Sequence, residues 1–162
     1  MKKLLWTVAL AVFAGACMFK PLPEVPVLGD VELPVAAEEE VIWKSANYKG
    51  KPMIMVFMGS WCPYCKKSMP AVQAAAEAYG DKAEIVAVFV DQDAKTVQEV
   101  AKEHEFTVKS LYAGGAAAQA LGVSGLPHAI LFDKKHQIVK TWEGFSPSLE
   151  TEFKEQLEKR TK

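Results

Sequence analysis

Continuous apolar runs alternate with segments of helical periodicity along most of this 162-residue chain. The run Met53–Met58 is apolar at nearly every position, which is typical of a strand buried on both faces of a parallel sheet. A second run, 84–90, follows a segment, 63–79, whose apolar residues recur at helical spacing and which ends at Gly80. The pattern predicts two buried strands joined by a helix, with a kink at Pro70 inside that helix.

Shorter elements of the same kind follow toward the C-terminus. Asp91 and Asp93 are expected to cap the next helix, and Ser146 and Pro147 are expected to be the N-cap and first residue of the last one. Strands that alternate with helices and end in a hairpin and a helix indicate an α/β fold, with a central mixed β-sheet flanked by helices. The further strands are predicted at 41–43, 108–112, 129–132 and 137–143, and the further helices at 95–104 and 114–121.

Two cysteines, Cys62 and Cys65, stand where the helix after the first buried strand begins. Side chains at i and i+3 in the first turn of a helix lie on one face, close enough to form a disulfide. The unpaired N–H groups of that turn and the positive end of the helix dipole point at the first sulfur. We therefore expect the pKa of Cys62 to fall from about 8.5 into the range of roughly 3.5–7.5, which makes the pair a redox-active dithiol.

Other kinds of site remain open for this pair. A structural zinc ion needs four ligands, and the chain offers no second cysteine pair. A purely structural disulfide rarely begins a helix directly after a buried strand, and thiolates also bind soft metals. The single residues left as ligands are Cys17, His104, His128 and His136, and we expect His104 and His136 at the surface.

The N-terminal 40 residues differ from the rest of the chain. Residues 1–16 combine two lysines, an apolar run and small residues, as a signal peptide does. Cleavage after Ala16 would make Cys17 the first residue, as in the lipobox of bacterial lipoproteins, so we expect Cys17 to be acylated, with ordinary secretion as the alternative. Four prolines predict an extended tether within 17–40, ahead of a domain at 41–162. Packing of this segment on the domain is the other interpretation.

The balance of charge excludes one class of partner. Nineteen lysines and arginines against 20 acidic residues give a net charge of −1, and no basic cluster interrupts the sequence. Binding of nucleic acid needs such a cluster, so we expect no nucleic-acid partner.

With Trp61 directly before the dithiol and Leu126-Pro127 before the hairpin, the chain resembles the thioredoxin superfamily, and more narrowly its exported, membrane-tethered TlpA/ResA type. The resemblance runs from about residue 41 to the C-terminus. It implies a thioredoxin-like three-layer sandwich with an extra segment between the dithiol helix and a cis-proline. The stretch 91–121 is longer than in a minimal thioredoxin, which is typical of that type.

The resemblance also assigns roles to single residues. Cys62 would attack the substrate disulfide and Cys65 would resolve the product. A cis Leu126-Pro127 bond would turn the Leu126 backbone toward the dithiol, so that Trp61, Leu126 and Pro127 contact the substrate. The residues that would tune the dithiol are Pro63, Tyr64, Lys66 and His128.

Two acidic residues that occur in the superfamily are missing here. Val56 replaces a buried aspartate six positions before the first cysteine, and Ser68 replaces an acidic residue three positions after the second. Either carboxylate would accept the proton of the resolving thiol. Deprotonation of Cys65 must then depend on water, on a nearby lysine such as Lys66, or on His128.

The function implied by the resemblance is thiol–disulfide oxidoreduction outside the cytoplasm. A lipid-anchored monomer in the periplasm, or another extracytoplasmic space, would reduce disulfides of exported proteins, with apocytochrome c typical of the family. The exchange needs no cofactor and no metal, but it does need an electron donor, expected to be a transmembrane thiol reductase. Oxidase or isomerase activity is the second interpretation. A copper chaperone that uses Cys62, Cys65 and His128 is the interpretation from a different class.

Overall fold

The computed structural model describes residues 28–38 and 40–162. The predicted signal peptide (1–16), the predicted acylation site Cys17 and the first part of the predicted tether lie outside the described residues. The strands are β1 (Glu32–Pro34), β2 (Ile42–Lys44), β3 (Met53–Met58), β4 (Glu84–Phe89), β5 (Ser110–Leu111), β6 (His128–Phe132) and β7 (Ile138–Glu143). The helices are a 3-10 turn (Ser45–Tyr48), α1 (Pro63–Tyr79), α2 (Ala94–Glu103), α3 (Gly115–Ala120) and α4 (Leu149–Thr161).

A five-stranded mixed sheet forms the centre of the domain, in the order β5-β4-β3-β6-β7. Strand β4 runs parallel to its neighbours β3 and β5, whereas β6 runs antiparallel to both β3 and β7. Strand β3 lies in the middle of the sheet and all its residues are buried, which explains its continuous apolar sequence. The predicted mixed sheet is confirmed.

Two layers cover the sheet and complete the three-layer sandwich. The first layer consists of α1, α2 and α4, which pack on one face through residues such as Val72, Val97 and Phe153. The second layer consists of α3 and the hairpin β1–β2, which pack on the opposite face through Ala118 and Leu33. Within the described ranges, none of the helices combines the length and the apolar character that crossing a membrane requires.

The residues before position 41 extend the domain. Strand β1 pairs antiparallel with β2, and Leu28, Leu33 and Val35 are buried against the sheet. The predicted domain boundary at residue 41 is therefore too late. The described part of the predicted tether packs on the domain as a strand and is not a free linker. The reason is that its apolar residues are buried against a face of the sheet.

Helix α4 begins later than the sequence predicts. Its N-cap is Ser148 rather than Ser146. The Ser146 hydroxyl accepts a hydrogen bond from the Ser148 N–H at 3.2 Å, and the Ser146 carbonyl accepts one from the Leu149 N–H at 3.1 Å. These bonds form a turn that contains Pro147 and precedes the helix. Helix α1, in contrast, has the predicted bounds and continues through the exposed Pro70.

Candidate active site

The two cysteines lie at the start of α1, as the sequence predicts. Cys62 is the N-cap of the helix, Pro63 occupies its first turn, and Cys62 and Cys65 form a disulfide with a Cα–Cα distance of 5.2 Å. The backbone N–H of Cys65 donates a hydrogen bond to Cys62 Sγ at 3.2 Å. The first sulfur therefore sits where the unpaired amides of the helix would stabilise a negative charge.

The two sulfur-bearing residues differ in their access to solvent. Cys62 is 9% exposed, whereas Cys65 is completely buried against the first layer of the sandwich. A tight turn places Cys62 at this edge, because its N–H donates to the Gly59 carbonyl at 3.0 Å. An incoming disulfide can therefore reach Cys62 before it can reach Cys65.

The loop before β6 meets the dithiol from the other side. The Leu126-Pro127 bond is cis, as the resemblance implies, and the Leu126 carbonyl oxygen lies 3.8 Å from Cys62 Sγ. The Pro127 carbonyl accepts a hydrogen bond from the Gly144 N–H at 2.8 Å, which ties this loop to the end of β7. Antiparallel pairing of β3 with β6 brings the loop to the start of α1.

Exposed side chains surround the accessible sulfur. Trp61 is 64% exposed and Tyr64 is also exposed, although both are large aromatic residues. The Trp61 ring lies over Gly59 so closely that a Cβ at that glycine would be 3.0 Å from the indole. The ammonium group of Lys67 lies 5.2 Å from the centre of the Tyr64 ring, while Lys66 is half-buried. Aromatic surface beside a reactive sulfur suits the docking of another protein chain.

The positions of the two missing acids hold no carboxylate. Val56 packs in the same cluster as Cys65, together with Ala129 on the neighbouring strand. Ser68 is buried, and its hydroxyl donates a hydrogen bond to the Tyr64 carbonyl at 2.9 Å, one turn earlier in α1. Neither side chain can accept the proton of the Cys65 thiol in the way that a carboxylate would.

His128 lies at the start of β6, but it faces away from the dithiol. Side chains alternate along a strand, and Ala129 shares the face of Val56 and the cysteines, so His128 points to the second layer. Its Nδ1 atom is buried and has no hydrogen-bond partner. Burial lowers the pKa of His128 below its usual value, although the charge of Glu143 acts in the opposite direction.

The other two histidines differ in their placement. His104 is exposed at the end of α2, as predicted. His136 was expected at the surface, and that prediction is wrong, because the side chain is almost completely buried. The reason is the N-terminal segment, whose Leu28 N–H donates to the His136 carbonyl at 2.8 Å and which covers this turn. Across residues 28–38 and 40–162, no group of three histidine, cysteine or acidic side chains could hold a metal ion.

Asp91 is a residue of the site that the sequence analysis assigned elsewhere. Asp93 alone caps α2, with its carboxylate accepting from the Thr96 N–H at 2.8 Å. The carboxylate of Asp91 instead accepts two hydrogen bonds from Ser60, from the N–H at 3.0 Å and from the hydroxyl at 2.6 Å. The signal that was available is its position, since an acid two residues after the end of β4 lies near the end of the parallel strand β3.

Comparison with known proteins agrees with this geometry. The Redoxin family matches residues 23–157. The chain belongs to the Redoxin family. The thiol-disulfide oxidoreductase ResA of Bacillus thuringiensis subsp. konkukian is 30% identical over 118 residues, which are 72% of this chain and 65% of that protein. The match thus covers slightly less than two thirds of this relative's length.

Two further similarities concern the thioredoxin fold of this Redoxin chain. The thioredoxin-like protein slr1139 of Synechocystis is 32% identical over 110 residues, which are 67% of this chain and 81% of that protein. The crystal structure of the exposed lipoprotein thioredoxin of Streptococcus pneumoniae superposes with a TM-score of 0.69, at 24% identity, over 81% of this chain and 99% of the other. The chain is thus a member of the thioredoxin superfamily.

Proposed function

We propose that this Redoxin protein is a thiol–disulfide oxidoreductase that reduces disulfides of exported proteins outside the cytoplasm. One observation carries the proposal: Cys62, which is 9% exposed at the N-cap of α1, is bonded to Cys65, which is completely buried. A disulfide that only stiffened the fold would not need one sulfur at a helix N-terminus within reach of a second protein. The unequal burial supports an attacking role for Cys62 and a resolving role for Cys65.

The reductive cycle begins with both cysteines as thiols. The Cys62 thiolate attacks one sulfur of the substrate disulfide, and the other substrate sulfur leaves as a thiolate and takes up a proton. Cys65 then loses its proton and attacks the Cys62 sulfur, which releases the second substrate thiolate and forms the Cys62–Cys65 disulfide. The substrate gains two electrons and the protein loses two, so a donor of two electrons must reduce the protein again.

The resolving step has to proceed without a buried carboxylate near Cys65. Val56 and Ser68 fill the two positions where such an acid would stand, and His128 faces the second layer. Water that enters the site while Cys62 is held in the mixed disulfide, before the substrate is released, is the acceptor that the site allows, and Lys66 at the rim would favour the thiolate. The same orientation of His128 separates it from Cys62 and Cys65, which speaks against the copper chaperone that would use all three residues as ligands.

The location and the partners are supported by the N-terminal sequence and by the relatives. The similar pneumococcal structure is, by its title, that of an exposed lipoprotein thioredoxin, and this chain carries a signal-like segment followed by Cys17. We propose a monomer anchored through acylated Cys17, a transmembrane thiol reductase as electron donor, and exported proteins such as apocytochrome c as substrates.

Trapping of partners tests this function directly. The full chain with Cys65→Ser, produced in its own cells, should form mixed disulfides through Cys62 with exported proteins, whereas Cys62→Ser should form none. The unmodified protein should also reduce insulin with a chelator present. The proposal would be contradicted if Cys62→Ser trapped as many mixed disulfides as Cys65→Ser, or if all the trapped partners were cytoplasmic proteins.

Two further measurements test the activity class and the anchor. Reactivation of scrambled ribonuclease without insulin reduction would favour an isomerase. Loss of the Cys17→Ala variant from membranes would support the anchor.

A further inference from the structure

We infer that Asp91 is a positioning residue for the dithiol, and that its charge makes the Cys62–Cys65 pair more reducing. The inference rests on disulfide exchange at this pair, which is part of the proposed function, but not on the identity of the substrate. Asp91 is only 8% exposed, although it is an acidic residue. A buried carboxylate needs partners that offset the cost of its burial, and here both partners come from Ser60.

The contact fixes the turn that carries the nucleophile. Ser60 lies inside the turn that the Cys62 N–H closes on the Gly59 carbonyl. Asp91 accepts the Ser60 N–H at 3.0 Å and the Ser60 hydroxyl at 2.6 Å, so one carboxylate holds both the backbone and the side chain of the turn. A hydrogen bond to an ionised acceptor is about twice as strong as one between neutral groups.

Asp91 is itself held firmly. Its backbone carbonyl accepts the Ala113 N–H at 2.7 Å, and the Val90 N–H donates to the Met58 carbonyl, which continues the pairing of β4 with β3. Next to Ala113, Gly114 packs so tightly that a Cβ there would lie 2.4 Å from Cγ1 of Val88. The carboxylate thus acts from a rigid strand end rather than from a mobile loop.

The charge of Asp91 acts on the reduced form of the protein. Ser60 and Cys62 are two residues apart, so their Cα atoms are at most about 7 Å from each other. When the disulfide is reduced, a Cys62 thiolate and the carboxylate carry like charges in one site, and like charge disfavours the thiolate. The disulfide carries no such charge. Asp91 therefore shifts the equilibrium toward the disulfide, which makes the dithiol a better electron donor.

The redox equilibrium with glutathione measures this effect without any protein substrate. Asp91→Asn keeps the shape but removes the charge; its amide oxygen can still accept the Ser60 N–H, and its NH2 group can donate to the Ser60 hydroxyl oxygen. We expect its equilibrium constant to move toward the dithiol by about three- to tenfold, as charges about 10 Å apart imply for a partly buried site; tenfold corresponds to about 30 mV for two electrons. The control is Asp93→Asn, which removes a charge two residues away, still caps α2, and should change the constant less than twofold.

For a second variant, Ser60→Ala, we expect the equilibrium constant with glutathione to change in the opposite direction. Ser60→Ala removes the hydroxyl that offsets the carboxylate but leaves the charge, so the constant should move toward the disulfide by about two- to threefold. It should also lower kcat/KM for insulin, because the turn is less firmly held. If the constants of Asp91→Asn and Asp93→Asn agree within twofold, or if Ser60→Ala moves in the same direction as Asp91→Asn, the inference is wrong. Failure of the proposed function would give a different result: the unmodified protein would equilibrate with glutathione but would not reduce insulin.

Discussion

The backbone N–H of Cys65 donates a hydrogen bond to the sulfur of Cys62 at 3.2 Å, while Cys65 itself is sealed inside the first layer of the sandwich. The two cysteines of one small ring thus have different environments. Cys62 receives the helix amides and borders solvent, and Cys65 supplies an amide and lies in the core. This asymmetry supports the proposal that the sulfur of Cys62 begins the reaction.

Alkylation of the reduced protein should follow that asymmetry. With less than one equivalent of iodoacetamide at pH 7, we expect label almost entirely on Cys62, because Cys65 is inaccessible and Cys62 has the greater thiolate fraction. Peptide mapping by mass spectrometry measures the ratio. Denatured protein is the control and should be labelled about equally on both residues. Predominant label on Cys65 in the folded protein would contradict the assignment of roles.

Loss of the Trp61 side chain should weaken docking without weakening the fold. We expect Trp61→Ala to raise KM for insulin about three- to tenfold, as the loss of an aromatic contact worth about 1 kcal/mol implies. The free energy of unfolding should change by less than about 0.5 kcal/mol, because the residue is largely exposed.

The matched control for Trp61 is Ile42→Ala. Ile42 is 47% exposed on β2, in the hairpin that covers the second face of the sheet. Removal of this apolar side chain should leave KM for insulin unchanged. Equal increases of KM in the two variants would mean that general surface hydrophobicity, rather than the rim of the dithiol, governs docking.

The carboxylate of Glu152 attaches α4 to β7. Glu152 accepts hydrogen bonds from the Trp142 indole at 2.8 Å, from Lys140 at 3.0 Å and from the Ser148 hydroxyl at 2.8 Å. These donors, the Ser148 hydroxyl first, lower the pKa of Glu152 to about 2. Because the folded-state pKa is depressed, the stabilisation is complete above pH 4.5, the ordinary value, and disappears as the pH falls toward 2.

Glu152→Gln should therefore destabilise the protein in a pH-dependent way. We expect it to lower the free energy of unfolding at pH 7 by about 1 kcal/mol or less, the range of partly exposed ion pairs. The difference from the unmodified protein should shrink between pH 4.5 and pH 2.5 in urea titrations. The control is Glu150→Gln, which removes a surface pair with Lys154 and should show a smaller effect. A difference that grows on acidification would contradict the account.

Most of the fold could be predicted from the sequence because the strongest patterns in the sequence are local. Six apolar residues at 53–58 can hardly be anything but a doubly buried strand, and the observed bounds of β3 and α1 are those predicted. Elements with weaker signals moved by one or a few residues. The start of α4 shifted because Ser146 accepts its hydrogen bonds from Ser148 and Leu149 within a turn around Pro147, and the helix begins only after that turn.

The missed features depend on long-range contacts. Burial of His136 follows from the N-terminal segment that covers it, over a hundred residues away in the sequence. The direction of His128 follows from the register of β6 against β3, since a shift by one residue would turn it toward the cysteines. The contact between Asp91 and Ser60 requires that β3 and β4 be neighbours and end together. None of these can be read from residue spacing alone.

The acidity of Cys62 is the quantity on which the account depends most. The absorbance of the thiolate at 240 nm, followed against pH in the reduced protein, measures this acidity directly. The reference is the Cys65→Ser variant, in which Cys62 is the one remaining thiol of the pair. The account predicts an apparent pKa below about 7.5 for Cys62, as expected for a thiol at a helix N-terminus. A value at or above about 8.5, that of a free cysteine, would contradict it.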